Sequence, residues 1–248
     1  MKTTSSYVTA QTLRLGAVFG RGDITCVMSY LIRVHLPDVP GSLGELAEAF
    51  GMIDADIRSV DIVQMDRAGV VTDDIVVELP TGTLVDALIT AASSIEGAEV
   101  DSIRPFTGTV DRRGQIQMLA RIADTTGDVT AAAHELVSVM PQAMTSSWAV
   151  VLRDTSEGLE RVAASQAAPG DDGSKPTLVD VTTARILQRD SDTWVPEAWW
   201  LLDTTLAITP LTGTDLVLVV GRVGGPDFLA SEVTQIRDLG HIIGAMLR

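Results

Sequence analysis

Asp38-Val39-Pro40-Gly41-Ser42-Leu43 joins an apolar run, Tyr30 to Leu36, to an amphipathic run, Ser42 to Gly51. A residue before proline is pushed to extended backbone, so Val39 leads out of a strand, and Gly41 allows close approach of the main chain. Ser42 is expected to cap the helix that follows, whose first N–H groups then point into the turn. Such a turn is a small anion site, and Asp38 adds a carboxylate a few ångströms away. One zwitterionic ligand, a free amino acid, could give its carboxylate to the helix start and its ammonium to Asp38. The plainer alternative is a strand-to-helix turn with a capping serine and no ligand.

Outward from the turn the pattern is regular. Leu43, Leu46, Ala47 and Phe50 fall at helical spacing with Gly51 as the stop, and Glu45 and Glu48 face solvent. Two strand-like runs, Ile57 to Met65 and Val70 to Leu79, flank the short loop Asp66-Arg67-Ala68-Gly69. Pro80-Thr81-Gly82-Thr83 is expected to break the second of these strands and cap a second helix carrying Leu84, Leu88, Ala91 and Ile95, ended by Gly97, and a last strand runs from Ala98 to about Arg104. The order strand, helix, strand, strand, helix, strand predicts an α+β fold with two helices on one face of a four-stranded antiparallel sheet.

In that frame the proline-glycine turn after strand 1, with an acidic residue two before the proline, resembles the ACT domain, a small amino-acid-sensing regulatory module. The resemblance covers residues 30–106 within a unit expected to span 29–106, and it implies a ferredoxin-like βαββαβ domain. It also implies a homodimer holding a free amino acid between the turn after strand 1 and the start of strand 2. The residues carried over are Asp38, Val39, Pro40, Gly41, Ser42 and Leu43 at the turn, with Gly41 to Leu43 meeting the ligand carboxylate, and Asp56 with Ile57 opening strand 2. Asparagine is common at both polar positions in ligand-binding members. Two aspartates either favour an ammonium more strongly or leave the pocket without a ligand.

Composition bounds the remainder. The 248 residues are 46% apolar, enough for two packed domains, and 18 basic against 33 acidic residues give a net charge of −15. That charge argues against a general affinity for nucleic acid or anionic membrane surfaces. No apolar run is long enough to span a bilayer and no secretory signal pattern is present, so a cytoplasmic protein is expected. Residues 1–28 are expected to be a poorly ordered leader, with Met28 an alternative start. Cys26 is the single cysteine, which excludes an internal disulfide.

Residues 107–114 read as a linker. From Gln115 the pattern restarts with a short helix, a longer one capped by Asp128, a strand through Trp148, Val150 and Leu152, a polar turn, and a second strand to Ser165. Ala167 to Pro176 reads as an exposed loop, and Thr177 to Gln188 as helical in part. Trp194, Trp199 and Trp200 either plug a core or line a pocket, with packing the stronger reading. Strands are expected at Thr205 to Pro210 and Leu216 to Arg222, and a helix at Phe228 to Leu247. The strand end Pro210-Leu211, the run Leu216 to Arg222 and the closing helix resemble a GAF domain over residues 115–248. The resemblance implies an α/β/α unit around a central antiparallel sheet that packs, dimerises or takes an unknown small ligand.

No catalytic constellation emerges, so an enzyme is not expected, nor a cofactor. His35, His134 and His241 stand alone on apolar or amphipathic segments and cannot form a spaced metal motif. Asp73 and Asp74 are adjacent in a strand, face opposite sides, and cannot act together as an acid/base pair. The leading expectation is a regulatory amino-acid sensor. The rival is a structural module that dimerises, or that docks a protein partner through the Trp194 to Trp200 segment.

Overall fold

The computed structural model describes residues 28–67, 69–106, 112–125, 127–177 and 181–248. The expected leader with Cys26, and Thr107 to Asp111 of the expected linker, lie outside the described residues.

The N-terminal unit runs β1 (Met28–Pro37), α1 (Ser42–Gly51), β2 (Asp56–Met65), β3 (Val70–Leu79), α2 (Asp86–Ala92) and β4 (Glu99–Pro105). Its sheet has the order β2-β3-β1-β4, and every neighbouring pair is antiparallel. Side chains alternate across a strand, so Ile32, Val34, Leu36, Ile75, Val77 and Leu79 share one face and pack on Leu46, Phe50, Leu88 and Ala92 of the helices. Each such side chain contributes about 1.5–3 kcal/mol on burial.

Two local expectations change. Gly41, not Ser42, is the residue flanking α1: its φ of 108° suits a residue without a Cβ, and no side chain caps the helix. Ser42 is the first helical residue and is buried. The second helix is shorter than its apolar stripe implies, starting at Asp86 without a side-chain cap, and Leu84 is 76% exposed rather than packed. The Ala87 and Leu88 N–H groups donate to the Leu84 and Val85 carbonyls, each at 3.0 Å.

The C-terminal unit runs α3 (Arg112–Asp124), α4 (Val129–Ala143), β5 (Trp148–Thr155), β6 (Gly158–Ala164), β7 (Arg185–Ile186), a 3-10 turn (Glu197–Trp200), β8 (Thr204–Pro210), β9 (Leu216–Val223) and α5 (Ala230–Met246). Its antiparallel sheet has the order β6-β5-β9-β8-β7. Asp128 caps α4 as expected, accepting from the Ala131 N–H at 2.9 Å. The helices cover one face of this sheet, with Met140 of α4 and Ile236 of α5 in one buried cluster with Leu218 of β9. Gly244 lets α5 lie against the chain after β8, where a Cβ would sit 2.4 Å from the Thr212 nitrogen. The partial helix expected over Thr177 to Gln188 is absent among the described residues. Arg185 and Ile186 instead pair with Ile208 and Ala207 as an edge strand, a contact local propensity does not encode.

The face of the first sheet turned away from its helices carries Leu31, Arg33, Thr72, Asp74 and Val76, all at most 5% exposed. An antiparallel sheet with one free face would leave such polar residues in water. Here the C-terminal unit covers them, and Arg33 donates to the Asp227 carbonyl at 3.3 Å.

Candidate functional site

The β1–α1 turn is open. Asp38, Val39, Pro40, Gly41 and Leu43 are exposed, and the Asp38 N–H donates to the Gly69 carbonyl at 2.8 Å, tying the turn to the β2–β3 loop. Asp56 and Ile57 lie at the other end of the sheet. Pro37 pairs with Val70 whereas Asp56 pairs with Glu78. Eight residues of β3 therefore separate the two ends, roughly 27 Å at 3.4 Å per residue. Asp56 is held at 3.1 Å by Arg58 on an exposed surface, and Ile57 is half-buried against the helix-side core. Within one chain the structure gathers Asp38 to Leu43 together and leaves Asp56 and Ile57 apart from them.

The most constrained polar group lies where the two units meet. Arg33 donates to both Asp74 carboxylate oxygens, at 2.7 and 2.8 Å, and its Nη2 lies 3.3 Å from Glu232. From the other side Arg222 donates to Glu232 at 2.5 and 3.4 Å, and to the carbonyls of Met144 and Thr145. The Arg222 guanidinium also covers the Phe228 ring at 4.2 Å. Glu232 Oε2 accepts the Leu229 N–H at 2.8 Å at the start of α5. Arg104 of β4 completes the group by donating to the Thr145 carbonyl, while its Nε is buried without a partner. Thr145 has a φ of 46°, an uncommon backbone for a β-branched residue, and this presents its carbonyl to two arginines at once.

The charges act on one another. Burial opposes ionisation of Arg33, but Asp74 and Glu232 outweigh it and raise the guanidinium pKa. Burial would likewise raise the Glu232 carboxyl, yet Arg222 and Arg33 hold it below its ordinary value. Arg104 is the exception: burial, with Arg222 next to it, pushes it down to about 10. A cavity of about 360 Å³ opens beside this group, bordered by Asp61, Asp74, Thr145 and Glu232. Asp73, next to Asp74, faces the helix side; burial and then Asp74 raise its carboxyl, and its Oδ1 has no partner. The two aspartates thus point apart, as strand alternation requires.

The far face of the C-terminal sheet is filled. Trp148, Trp194 and Trp199 are at most 8% exposed, and Trp148 meets Trp199 edge to face at 5.5 Å. Asp192 anchors the segment, accepting from Arg185 at 2.6 Å and from the Trp194 indole at 3.2 Å, and Arg185 holds its carboxyl down to about 2. The space left there is about 20 Å³, too small for an organic ligand. Trp194 and Trp199 are packed in the core, and Trp200 is half-buried against it. Among the described residues no group of three or more His, Cys, Asp or Glu could hold a metal, and no helix is long and apolar enough to cross a membrane.

The sequence reading missed Arg33, Arg104, Thr145, Arg222 and Glu232. A signal was present for two of them: Arg33 interrupts Leu31-Ile32-Arg33-Val34, and Arg222 follows Leu216-Val217-Leu218-Val219-Val220-Gly221. A charge inside an apolar strand needs a buried partner.

No protein-family model and no curated protein matches the sequence. Among solved structures the chain is similar to the GAF domain from Acinetobacter phosphoenolpyruvate-protein phosphotransferase, at 13% identity and a TM-score of 0.41 over 53% of this chain and 91% of that one. It is also similar to a GAF domain of a sensor histidine kinase from Pseudomonas syringae pv. tomato, at 13% identity and a TM-score of 0.38, covering 54% and 86% of the two chains. A third similarity is to the chromophore-binding domain of a bacteriophytochrome from R. palustris, at 11% identity and a TM-score of 0.38 over 88% and 92%. Identities and TM-scores this low add nothing to the sheet topology described above.

Proposed function

We propose that this chain is a non-enzymatic regulatory protein that senses a free amino acid at the β1–α1 turn, with the site completed by a second copy. The observation that supports this most is the geometry of β2. It is an edge strand of ten residues with Asp56 at one end and Met65 at the other, and it exposes Val60, Ile62 and Met65. An unpaired edge with apolar side chains is suited to strand addition. Two copies pairing their β2 edges antiparallel about a two-fold axis set each Asp56 beside the partner's Met65 end, where the Asp38 turn is bonded to Gly69. The separation of Asp38 from Asp56 within one chain becomes proximity between chains. The ammonium then meets two carboxylates and the carboxylate meets the Gly41 to Leu43 backbone, in keeping with the ACT-like resemblance of residues 30–106.

Light scattering after size exclusion gives the oligomeric state, and Ile62→Lys at the β2 edge is expected to yield a monomer. A thermal-shift screen with the twenty amino acids tests the ligand, since binding to the folded state alone raises the melting temperature. Asp38→Ala is expected to abolish the response and leave the ligand-free melting temperature nearly unchanged. A dimer that responds to no amino acid at millimolar concentration sinks the sensor and leaves a purely structural dimerisation module.

A further inference from the structure

We infer that the amino acid sensed at the β1–α1 turn carries a large apolar side chain, of the leucine, methionine or norleucine kind, gripped by Val39, Leu43 and Met65 of one copy and Met52 of the partner subunit. The inference rests on the shared site proposed above and names its ligand class. Val39 is 59% exposed, Leu43 40%, Met65 61% and Met52 81%. Single exposed apolar residues need no explanation, but these four fall at the two ends of the sheet that β2 edges.

Three of them gather at the turn. Met65 and Leu36 flank Val71 in the sheet, and directly opposed residues share a face. Leu36 packs on the helices, so Met65 projects on the helix-bearing side, roughly 10 Å away across two strand spacings. The turn begins just beyond Leu36, with Val39 inside it and Leu43 in the first turn of α1 above the same face. The fourth lies at the far end. Met52 closes α1, and the Phe50 carbonyl accepts the Ile53 and Ala55 N–H groups at 3.2 and 3.0 Å, folding the link tightly into Asp56 at the start of β2. Antiparallel pairing of two β2 edges places the two-fold axis perpendicular to the sheet, so both helix layers lie on one side. Met52 of the partner subunit then arrives with Asp56 of the partner subunit beside Val39, Leu43 and Met65. The ammonium and carboxylate of the ligand take the polar groups of the site, and its side chain meets the apolar ones.

Magnitudes decide between an apolar and a charged side chain. Arg58 reaches Asp56 at 3.1 Å and Glu78 at 3.5 Å, so with Asp38 these residues set three carboxylates against one guanidinium. That balance disfavours the side chains of aspartate and glutamate. It favours lysine only weakly, because an exposed ion pair changes affinity about fivefold or less. Each methylene withdrawn from water is worth about fourfold, and norleucine carries three more than alanine, about fiftyfold in all. A terminal ammonium carried among Val39, Leu43 and Met65 would also lose hydration that those side chains cannot replace.

The test is isothermal titration of the full chain, at a concentration where light scattering shows the dimer, with alanine, norvaline, norleucine, lysine and glutamate. Affinity is expected to climb about fourfold per methylene from alanine through norvaline to norleucine. Norleucine is expected to bind more tightly than lysine, which is the same chain bearing a terminal ammonium, and more tightly than glutamate. Val39→Ser and Leu43→Ser are each expected to cut the ratio of norleucine to alanine affinity at least threefold; a weakened dimer would lower both affinities alike and leave that ratio unchanged. Alanine binding within threefold of norleucine overturns the class, as does tighter binding of lysine or glutamate, or a ratio that neither variant moves. In each of those outcomes the sensor reading stands. Binding of none of the five by the dimer overturns the sensor reading and the class together.

Discussion

Replacing Glu232 by glutamine asks most of the junction between the two units. The carboxylate is shared by Arg222, at 2.5 Å, and Arg33, at 3.3 Å, and these two arginines are 0% and 2% exposed. Glutamine keeps the size and one acceptor oxygen but removes the charge, leaving Asp74 as the carboxylate among three guanidiniums. Breaking a buried ion pair by neutralising one partner costs about 3–5 kcal/mol, because the remaining charge stays out of water. With a urea m-value of about 3 kcal/mol/M, near the upper end for small proteins, the midpoint falls by about 1 M or more. The assay is urea unfolding at pH 7 followed by tryptophan fluorescence and far-UV circular dichroism, whose coincidence checks two-state behaviour. The pH arm has a definite sign. Glu232 is held below its ordinary value of 4.5, so its stabilisation is present above that pH and is lost as pH falls below it. The native chain is expected to weaken in that acid window, and Glu232→Gln to lack that part of the slope. A midpoint loss under about 0.3 M, equivalent to roughly 1 kcal/mol, would mean that water reaches the arginines and the junction is not sealed.

Two further substitutions probe single packing and charge defects. Asp73 has its carboxyl raised above the ordinary 3.8, so its ionisation lowers stability as pH rises through the folded-state pKa. Asp73→Asn is expected to raise the urea midpoint at pH 7 and to match the native chain below the ordinary carboxyl range; a lower midpoint at pH 7 contradicts this. At Gly221 a Cβ would sit 2.1 Å from Trp148 Cε2, so Gly221→Ala is expected to cost at least the 1–3 kcal/mol of an overpacked core and to disturb the near-UV tryptophan spectrum. Trp148→Leu in the same chain should recover part of the loss, and no recovery would locate the strain elsewhere.

The N-terminal unit was legible because its signals are local. Alternation in Tyr30 to Leu36, the loop at Asp66 to Gly69 and the helical spacing of Leu43, Leu46 and Phe50 each arise within a few residues, and the sheet order follows from antiparallel neighbours. The ends of helices were less legible: Ser42 and Thr83 are good capping residues that the structure does not use. The separation of Asp38 from Asp56 was hidden by residue matching but follows from topology. β1 runs toward the turn, α1 carries the chain back, and β2 must start at the far end. β7 escaped notice because two residues, Arg185 and Ile186, become a strand only when β8 is beside them. The junction drew on the distant segments around Arg33, Asp74, Thr145, Arg222 and Glu232, so no window of sequence contained it.

Burying that junction needs a reason, since an ion pair taken out of water returns little net stability. The gain is in register. On β1, Ile32 and Val34 face the helices and Arg33 faces the C-terminal unit; a slip of one residue against β3 would drive the guanidinium into the apolar core and expose two aliphatic side chains. The bidentate bond from Arg33 to Asp74 makes that slip prohibitive, and the bond from Arg33 to Glu232 fixes the same strand to the first turn of α5. β1 therefore ends in the exposed Asp38 turn, pairs through Leu31 with Arg104, and is clamped between the two at Arg33. Asp38 stands at the open end of a strand whose middle is held by buried ion pairs, so the ligand proposed for the turn would meet a rigid support rather than a loose loop.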